Sequence, residues 1–192
     1  FTVNGNVDIN TASKVYNESN LVVSGKNKTF HVTNNCYLYN SGNIGCVTFN
    51  MTTDASFMMD VNSTFQSSYY YQTNNATLNN HGTLNAILEF KSDGGGIVNN
   101  NCSITSEKII LQGSVTNLGS GSLMNCVKLN LNNNTVNFSG GSMLIFTDIT
   151  DINAFKALSD ASEYSVMKCL GTMPDFRYAS SQFKGKIELV HI

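Results

Sequence analysis

The acidic residues are the first candidates for chemistry in this sequence, and only one group of them could lie together. Asp54 and Asp93 are 39 positions apart, and Lys91 lies two positions before Asp93. Enzymes that cleave polysaccharides need clustered carboxylates, often with calcium and a cationic side chain beside them. Solvated surface charges explain the same residues without any chemistry. We therefore predict no catalytic site, and keep a carbohydrate-active enzyme or carbohydrate-binding module as the alternative function.

Histidine and cysteine spacing gives no sign of a metal site. His31, His81 and His191 are far apart, and the sequence contains no Cys-x-x-Cys pair. Zinc sites use closely spaced pairs of such ligands. We therefore predict neither a metal nor another cofactor.

The cysteines have the spacing of small core residues. Cys46 and Cys126 lie 40 positions on either side of Ala86, and Cys36 lies 40 positions before Ala76. Exchange with alanine along a repeat indicates free thiols in a core. The alternative is a disulfide, for which Cys36 and Cys46 are the candidate pair within one repeat.

Three consecutive tyrosines, Tyr69, Tyr70 and Tyr71, form the most unusual aromatic motif. Alternation along a strand would turn at least one of these rings outward. Exposed aromatic rings stack on sugars and also occur at protein interfaces. The alternative explanation is a partly covered aromatic in one long strand. Carbohydrate, or a host or matrix surface, is therefore the partner class that the sequence suggests.

Eight Asn-x-Ser/Thr triplets are candidate N-glycosylation sites. Such a triplet is an acceptor only in a eukaryotic secreted protein, and in a chain so rich in Asn several arise by chance. The candidates are Asn17, Asn27, Asn50, Asn62, Asn75, Asn101, Asn133 and Asn137.

Composition excludes several function classes. The net charge of −2 and the 12% of charged residues provide no basic face for nucleic acid. Hydrophobic residues make up 41% of the chain, which is typical of a folded protein, yet no apolar run is long enough to span a membrane as a helix. Instead of charges, 28 Asn residues keep the surface polar, and all but one precede residue 138.

These residues are positioned by an internal repeat. Residues 34–44 match residues 74–84 at a constant offset of 40, with Asn, Asn, Leu, Asn and Gly identical at matched positions. Within the match, a small residue stands two positions before an apolar anchor, and this phrase recurs about every 20 residues. From residue 44 onward the anchors are Ile44, Phe65, Leu84, Ile104, Leu123 and Met143.

Alternating apolar residues between Asn- and Gly-rich turns favour short, half-buried strands. A unit of about 20 residues without a helix predicts an all-β fold, a right-handed parallel β-helix with one rung per unit. The anchors should then share one core. Stacked Asn side chains should form amide ladders, with corners expected at residues 99–101 and 132–134.

The period breaks after residue 146, so we divide the chain into an Asn-rich β-helix, 1–146, and a C-terminal part, 147–192. Ile152, Phe155 and Leu158 have helical spacing, and Asp151 is suited to cap a helix. We therefore predict one short helix over 151–164, followed by strands at 164–170 and 185–190. This part either caps the solenoid or continues it.

The phrase Asn79-Asn80-His81-Gly82-Thr83-Leu84 and the ending at Gly171-Thr172-Met173 resemble extracellular β-helix surface proteins. Two such groups are the passenger regions of bacterial autotransporters and the fungal cell-wall adhesins of the hyphally regulated type. The resemblance implies an extracellular or cell-surface location and a role in display, adhesion or matrix building. It transfers no binding residue.

The sequence thus predicts a structural or adhesive module, a rigid rod, rather than an enzyme. Both ends of a β-helix carry strand edges that can pair with another strand. Head-to-tail self-association of the chain into a filament is therefore a further prediction.

Overall fold

The computed structural model describes residues 1–176 and 182–192. In this part of the chain the regular elements are β-strands, and they pair in parallel with strands about 20 residues away, as Leu78 does with Val98. The predicted β-solenoid is confirmed. One of its two sheets has nine strands, so the coil makes about nine turns and extends roughly 40 Å at the usual strand spacing.

The nine-stranded sheet forms one side of the solenoid, which we call the amide face after its outward asparagines. Its strands are β3 (Lys14–Asn17), β6 (Tyr37–Asn40), β8 (Ser56–Met59), β10 (Thr77–Asn80), β12 (Ile97–Asn100), β14 (Val115–Leu118), β16 (Thr135–Phe138), β19 (Lys156–Ser159) and β21 (Gln182–Lys184).

The second sheet has 13 strands. Ten of them form its main path: β1 (Thr2–Asn4), β4 (Asn20–Ser24), β7 (Asn43–Met51), β9 (Thr64–Gln72), β11 (Thr83–Asp93), β13 (Ser103–Gln112), β15 (Leu123–Asn130), β17 (Met143–Phe146), β20 (Ser165–Cys169) and β22 (Ile187–His191). The other three are β2 (Val7–Ile9), β5 (Thr29–Val32) and β18 (Asp148–Asp151).

The second sheet bends, so that it supplies two sides of a three-sided coil. In β9 the inward residues are Phe65 and Ser67, then Tyr70 and Gln72, so the alternation shifts phase in the middle of the strand. Separate strands pair with the two halves: β4 and β5 both pair with β7. We call the side formed by the first halves the polar face and the side formed by the second halves the charged face.

The corner from the charged face to the amide face is built of residues with positive φ. Asn34 and Asn35 have φ of 57° and 59°, and Asn74 and Asn75 have 52° and 62°. Asn tolerates this left-handed conformation better than most residues, which accounts for part of its abundance. Backbone bonds such as Asn75 N–H to the Gly94 carbonyl (3.3 Å) join this left-handed corner from rung to rung.

The corner from the amide face to the polar face has two forms, one short and one long. In the short form a buried Asn closes a two-residue turn: the Asn100 side chain accepts from Cys102 N–H and donates to the Leu123 carbonyl (2.9 Å). It also accepts a hydrogen bond from the Asn80 amide (2.8 Å). These contacts satisfy backbone groups that the turn leaves unpaired.

In the long form an apolar residue takes the place of the buried Asn, and the turn lengthens to four residues ending in a buried Ser. Leu118 and Phe138 occupy this position in two consecutive rungs, before turns that end at Ser122 and Ser142. The Ser142 hydroxyl donates to the Ser139 carbonyl (2.6 Å) and so replaces the missing amide.

This change of turn length makes the predicted anchor series wrong at its last two members. Ile44, Phe65, Leu84 and Ile104 are buried and stack in register as predicted. Ile104, however, pairs with Met124, and Met124 with Leu144, while Leu123 and Met143 point outward. In the longer turn, Gly121 lies one position further from the strand than Gly82 does in the short turn, and a one-residue shift in a strand exchanges its two sides.

The predicted helix over residues 151–164 is also wrong, since this segment forms a corner, β19 and a loop. Ala154 takes the left-handed conformation with φ of 52°, and Lys156–Ser159 pairs with β16. The Asp151 carboxylate accepts from Asn153 N–H (3.0 Å), as a helix cap would, but it closes a turn. The predicted strands near 164–170 and 185–190 are confirmed as β20 and β22, which continue the stack.

Aromatic rings fill the N-terminal half of the core beneath the charged face. Tyr70 lies between Phe49 and Phe90, with ring centroids 5.1 and 4.8 Å away and nearly parallel planes. Complete burial raises the pKa of Tyr70 well above its usual value. Ile109 and Leu129 continue the same column. The charged face therefore rests on a tightly packed and regular support.

Candidate functional site

The charged face carries the side chains with the most chemical variety in the middle of the rod. Two outward columns run along it, one through Tyr69, Glu89, Lys108 and Lys128 and the other through Tyr71, Lys91, Ile110 and Asn130. The registered strands bring these residues together from four rungs. Neither composition nor spacing predicted that they share a face.

The tyrosine pair lies on this face as the alternation predicted. Tyr70 points into the core, while Tyr69 and Tyr71 point outward and are half-buried, with ring centroids 5.9 Å apart and planes inclined by 26°. The Glu89 carboxylate of the next rung is the charged group that acts most strongly on the Tyr71 hydroxyl. Partial burial, followed by the negative charge of Glu89, raises the pKa of Tyr71.

Two ion pairs follow the tyrosines along the rod. Lys108 Nζ lies 3.0 Å from Glu89 Oε2 across adjacent rungs, and Lys91 Nζ lies 2.6 Å from Asp93 Oδ2 within β11. Lys91 and Lys108 are thus each matched by one carboxylate, whereas Lys128, the next residue in the column, is in neither ion pair. The part of the face between the tyrosines and the next corner is consequently polar, with its charges mostly paired.

A recess lies where the charged face meets the left-handed corner. It has a volume of about 660 Å³ and is lined by Lys91, Asp93, Gly94, Gln112, Gly113, Asn132 and Asn133. Its volume falls within the range of about 300–1,000 Å³ that is usual for small-molecule sites. We call it the corner recess.

Glycine explains why the recess is there. The corners before β10 and β12 have equal length, and so do those before β14 and β16, because their flanking residues pair in register. What differs is the side chains: Gly94 and Gly95 take the places of Asn74 and Asn75, and Gly113 takes the place of Asn133. Loops without side chains leave a notch between loops that carry them.

A buried polar network holds the Gly94–Gly96 corner in place. The Gln72 amide donates to the Ile97 carbonyl (3.0 Å) and to the Ser92 hydroxyl (3.1 Å), and it accepts from the Tyr70 hydroxyl (3.2 Å). A Cβ on Gly96 would lie 2.7 Å from Ser92 Oγ, so only glycine fits over this network. The wall of the recess is therefore fixed from inside the core.

The amide face is chemically uniform by comparison. Asn79, Asn99, Asn117 and Asn137 stack outward, and the side-chain amide of each of the last three donates to the oxygen of the Asn before it, over 2.6–2.8 Å. The predicted amide ladders are thus present, and Asn99 and Asn100 belong to two different ones. At residues 132–134 the only ladder-like contact in the described structure is that of Asn134 with Ser114 (2.7 and 2.8 Å).

A second aromatic cluster on the amide face was not predicted. The Tyr16 ring contacts those of Tyr37 (6.3 Å) and Tyr39 (5.9 Å), and the Tyr39 hydroxyl donates to Asp60 (2.6 Å). This hydrogen bond, together with Val61 N–H, lowers the pKa of Asp60. The signal was present in the sequence, because Tyr37 and Tyr39 alternate and Tyr16 lies one coil earlier.

The candidate acidic cluster of the alternative, enzymatic interpretation does not form. Asp54 lies in the left-handed corner, with φ of 58°, and its N–H donates to the Asn74 carbonyl. Asp93 lies at the end of β11 and pairs with Lys91, two rungs beyond Asp54 and in a different column. In the described residues, groups of three or more His, Cys, Asp and Glu side chains that could hold a metal ion are absent.

The five cysteines are free thiols. Cys36 lies at the start of the amide face, whereas Cys46 lies in the bend of β7, so the alternative Cys36–Cys46 disulfide is not formed. Burial raises the pKa of Cys46 and of Cys126 to about 12. Thiols in this state are almost entirely protonated at neutral pH and resist oxidation.

The candidate glycosylation residues fall into two structural groups. Five are exposed in turns: Asn27, Asn62, Asn75, Asn101 and Asn133. Three lie in strands: Asn17, Asn50 and Asn137. Among the second group, the Asn17 and Asn137 amides already donate to neighbouring rungs (2.7 Å each). Glycosylation itself stays a prediction.

Comparisons of this chain with protein-family models, with curated proteins and with solved structures found no match. In the residues that the structure describes, no helix is both long enough and apolar enough to cross a membrane.

Proposed function

We propose that this chain is a non-catalytic structural module, a rigid rod at the cell surface or outside the cell, whose charged face acts as an adhesive surface. The observation that carries the proposal is the contrast between sides. One long face presents aromatic rings, matched charges and a recess together, whereas the amide face satisfies its own polar groups from rung to rung.

The spacing of carboxylates supports a binding role rather than catalysis. Glu89 and Asp93 are four residues apart on one strand, which separates them by about 13 Å along the backbone. Hydrolysis of glycosidic bonds by paired carboxylates uses separations of roughly 5–9.5 Å. Each of the two is also held by a lysine, Lys108 or Lys91.

An extracellular location agrees with the surface chemistry. Five candidate glycosylation sites lie in exposed turns, where a glycan would displace no strand. Of the free thiols, Cys36, Cys126 and Cys169 are buried, which protects them from oxidation. Head-to-tail assembly through strand edges stays a prediction, which sedimentation of the purified chain at high concentration tests.

Attachment of coated beads tests the adhesive role. Beads that carry the purified chain would be offered immobilised polysaccharides, mucin and matrix proteins, and retention under flow would be measured. We expect the wild-type chain to be retained on at least one surface and a Tyr69→Thr/Tyr71→Thr variant to lose retention. The matched control is Asn99→Thr on the amide face, which should keep it. Retention on no surface, or equal loss by both variants, would contradict the proposal.

A further inference from the structure

We propose that the corner recess binds a neutral oligosaccharide, which lies along the rod from Tyr71 across Lys91 to Asn132. This inference rests on the proposed adhesive role of the charged face and names the ligand class. It depends on three observations: the recess is built from glycine where glycine is not required, its polar groups are not used by the fold, and its charge is balanced.

Glycine is not needed at position 113 for the backbone. Gly113 has φ of 57°, which Asn35 and Asn75 adopt at 59° and 62° in other rungs of the same corner. A Cβ at position 113 would have no atom within 4 Å. Neither backbone conformation nor packing therefore demands glycine there. What glycine provides is the open space itself.

The recess has hydrogen-bonding groups that the described structure leaves without side-chain partners. The side-chain amides of Gln112, Asn132 and Asn133 make no hydrogen bond to other described residues, unlike the side-chain amides of the amide-face ladder. Lys91 uses one carboxylate contact, with Asp93, out of three N–H donors. The recess thus offers both donors and acceptors, as the hydroxyl groups of a sugar require.

Charge balance selects a neutral ligand. The lining of the recess has one lysine and one aspartate, already paired, so a charged ligand would be attracted by one of them and repelled by the other. A polyhydroxylated neutral chain is repelled by neither and can bond to both members of the ion pair. Buried or half-buried charged groups form stronger hydrogen bonds than neutral ones.

Tyr71, which lies outside the lining of the recess, supplies the apolar contact next to it. It lies directly beside Lys91 in the next rung, with Tyr69 parallel to it. The C–H face of a pyranose packs on such rings, because aromatic faces are apolar and electron-rich. The tyrosines and the recess follow one another along the rod axis, so the ligand is a linear oligosaccharide rather than a single sugar.

Saturation-transfer NMR and calorimetry with soluble hexasaccharides test the inference. The protein would be produced in bacteria, so that Asn133 carries no glycan, and titrated with cellohexaose, laminarihexaose, mannohexaose and chitohexaose, and with hexagalacturonate as the acidic probe. We expect saturation transfer to at least one neutral probe and a Gly113→Asn variant with at least about tenfold weaker binding.

The matched control is Gly121→Asn. Gly121 has φ of 69° and also has no atom within 4 Å of a Cβ, but it lies in the corner on the other side of the amide face, in the place that Asn62 takes at 66°. Its binding should stay within about twofold of wild type. If Gly113→Asn does not fold, Gln112→Ala, at an exposed strand end, takes its place.

No saturation transfer from any neutral probe at millimolar concentration would overturn the inference, as would undiminished binding by Gly113→Asn or a preference for hexagalacturonate. If beads still attach through the charged face while no neutral probe binds, the adhesive role stands and only the ligand class fails. If beads do not attach either, both proposals fail.

Discussion

The amide face and the charged face share the same backbone ladder and core but use their outward side chains in opposite ways. On the amide face, Asn99 accepts a hydrogen bond from Asn117 and donates one to Asn79, so its hydrogen-bonding groups are satisfied by neighbouring side chains. On the charged face, Glu89 and Lys108 pair once across a rung, and the amides of the corner recess remain available.

The comparison shows that regular stacking and binding are competing uses of a solenoid surface. A column of identical side chains 4.8 Å apart satisfies itself and leaves little for a ligand. A ligand site needs a break in the repeat, and here the break is a pair of corners, Gly94–Gly96 and Gly113–Ser114, in which glycine replaces asparagine.

The largest effect should come from the core that both faces share. Leu84 is fully buried and Thr83, its neighbour on the polar face, is exposed. Leu84→Asn should lower the free energy of unfolding by about 4 kcal/mol, because it loses apolar packing and buries an unpaired amide. Thr83→Asn should change it by less than about 0.5 kcal/mol. Urea denaturation measures both, and equal losses would show that the register is wrong.

The next largest effect should come from the short corner beside the amide face. Asn100→Leu should lower the free energy of unfolding by about 2–3 kcal/mol, because the Leu123 carbonyl and Cys102 N–H lose the side chain that bonds to them. Replacement of residues 101–102 by Gly-Ser-Gly-Ser, the sequence of 119–122, should restore at least half of the loss in the same variant. Further destabilisation by the longer turn would contradict the rule that links buried Asn to short corners.

Substitutions of outward side chains should lower the free energy of unfolding by less, and by different amounts on the two faces. Asn99→Ala breaks two ladder bonds and should cost about 1 kcal/mol. Lys108→Ala removes a partly exposed ion pair and should cost less than about 0.5 kcal/mol, an effect that high salt abolishes. Urea denaturation with and without 1 M salt, which shortens the screening length to about 3 Å, compares them. A larger cost for Lys108→Ala would reverse the contrast between the faces.

The sequence predicts the repeat and the inward or outward direction of most residues, because both follow from period-two alternation. Leu84 and the tyrosine triplet are correctly assigned for this reason. Registration fails where turn length varies: a Gly-x-apolar phrase places Leu123 inside, although the longer turn moves Met124 there. Ser63 and Ser122 both stand directly before a strand. Aligning these two residues, instead of Gly82 with Gly121, would have given the correct register.

The candidate site could not be predicted to the same extent. The residues of the site come from four rungs. Which of them are neighbours depends on the strand registers, and these cannot be read from the sequence. The Gly94-Gly95-Gly96 run was the visible signal of a change in the corner. Its meaning depends on Gly113, which is recognisable as its neighbour only once the rungs are stacked. The helical spacing of Ile152, Phe155 and Leu158 misleads because a corner also interrupts period two.

Chemical-shift mapping tests most directly whether the charged face, and not the amide face, carries binding. In ¹⁵N-correlated spectra titrated with the neutral hexasaccharides, we expect backbone shifts at Lys91, Gly94 and Gly113, and shifts of the Gln112 and Asn132 side-chain amides. The side-chain amides of the ladder at Asn79, Asn99, Asn117 and Asn137 should not move. Shifts concentrated along that ladder, or an unchanged spectrum with every probe, would contradict the account.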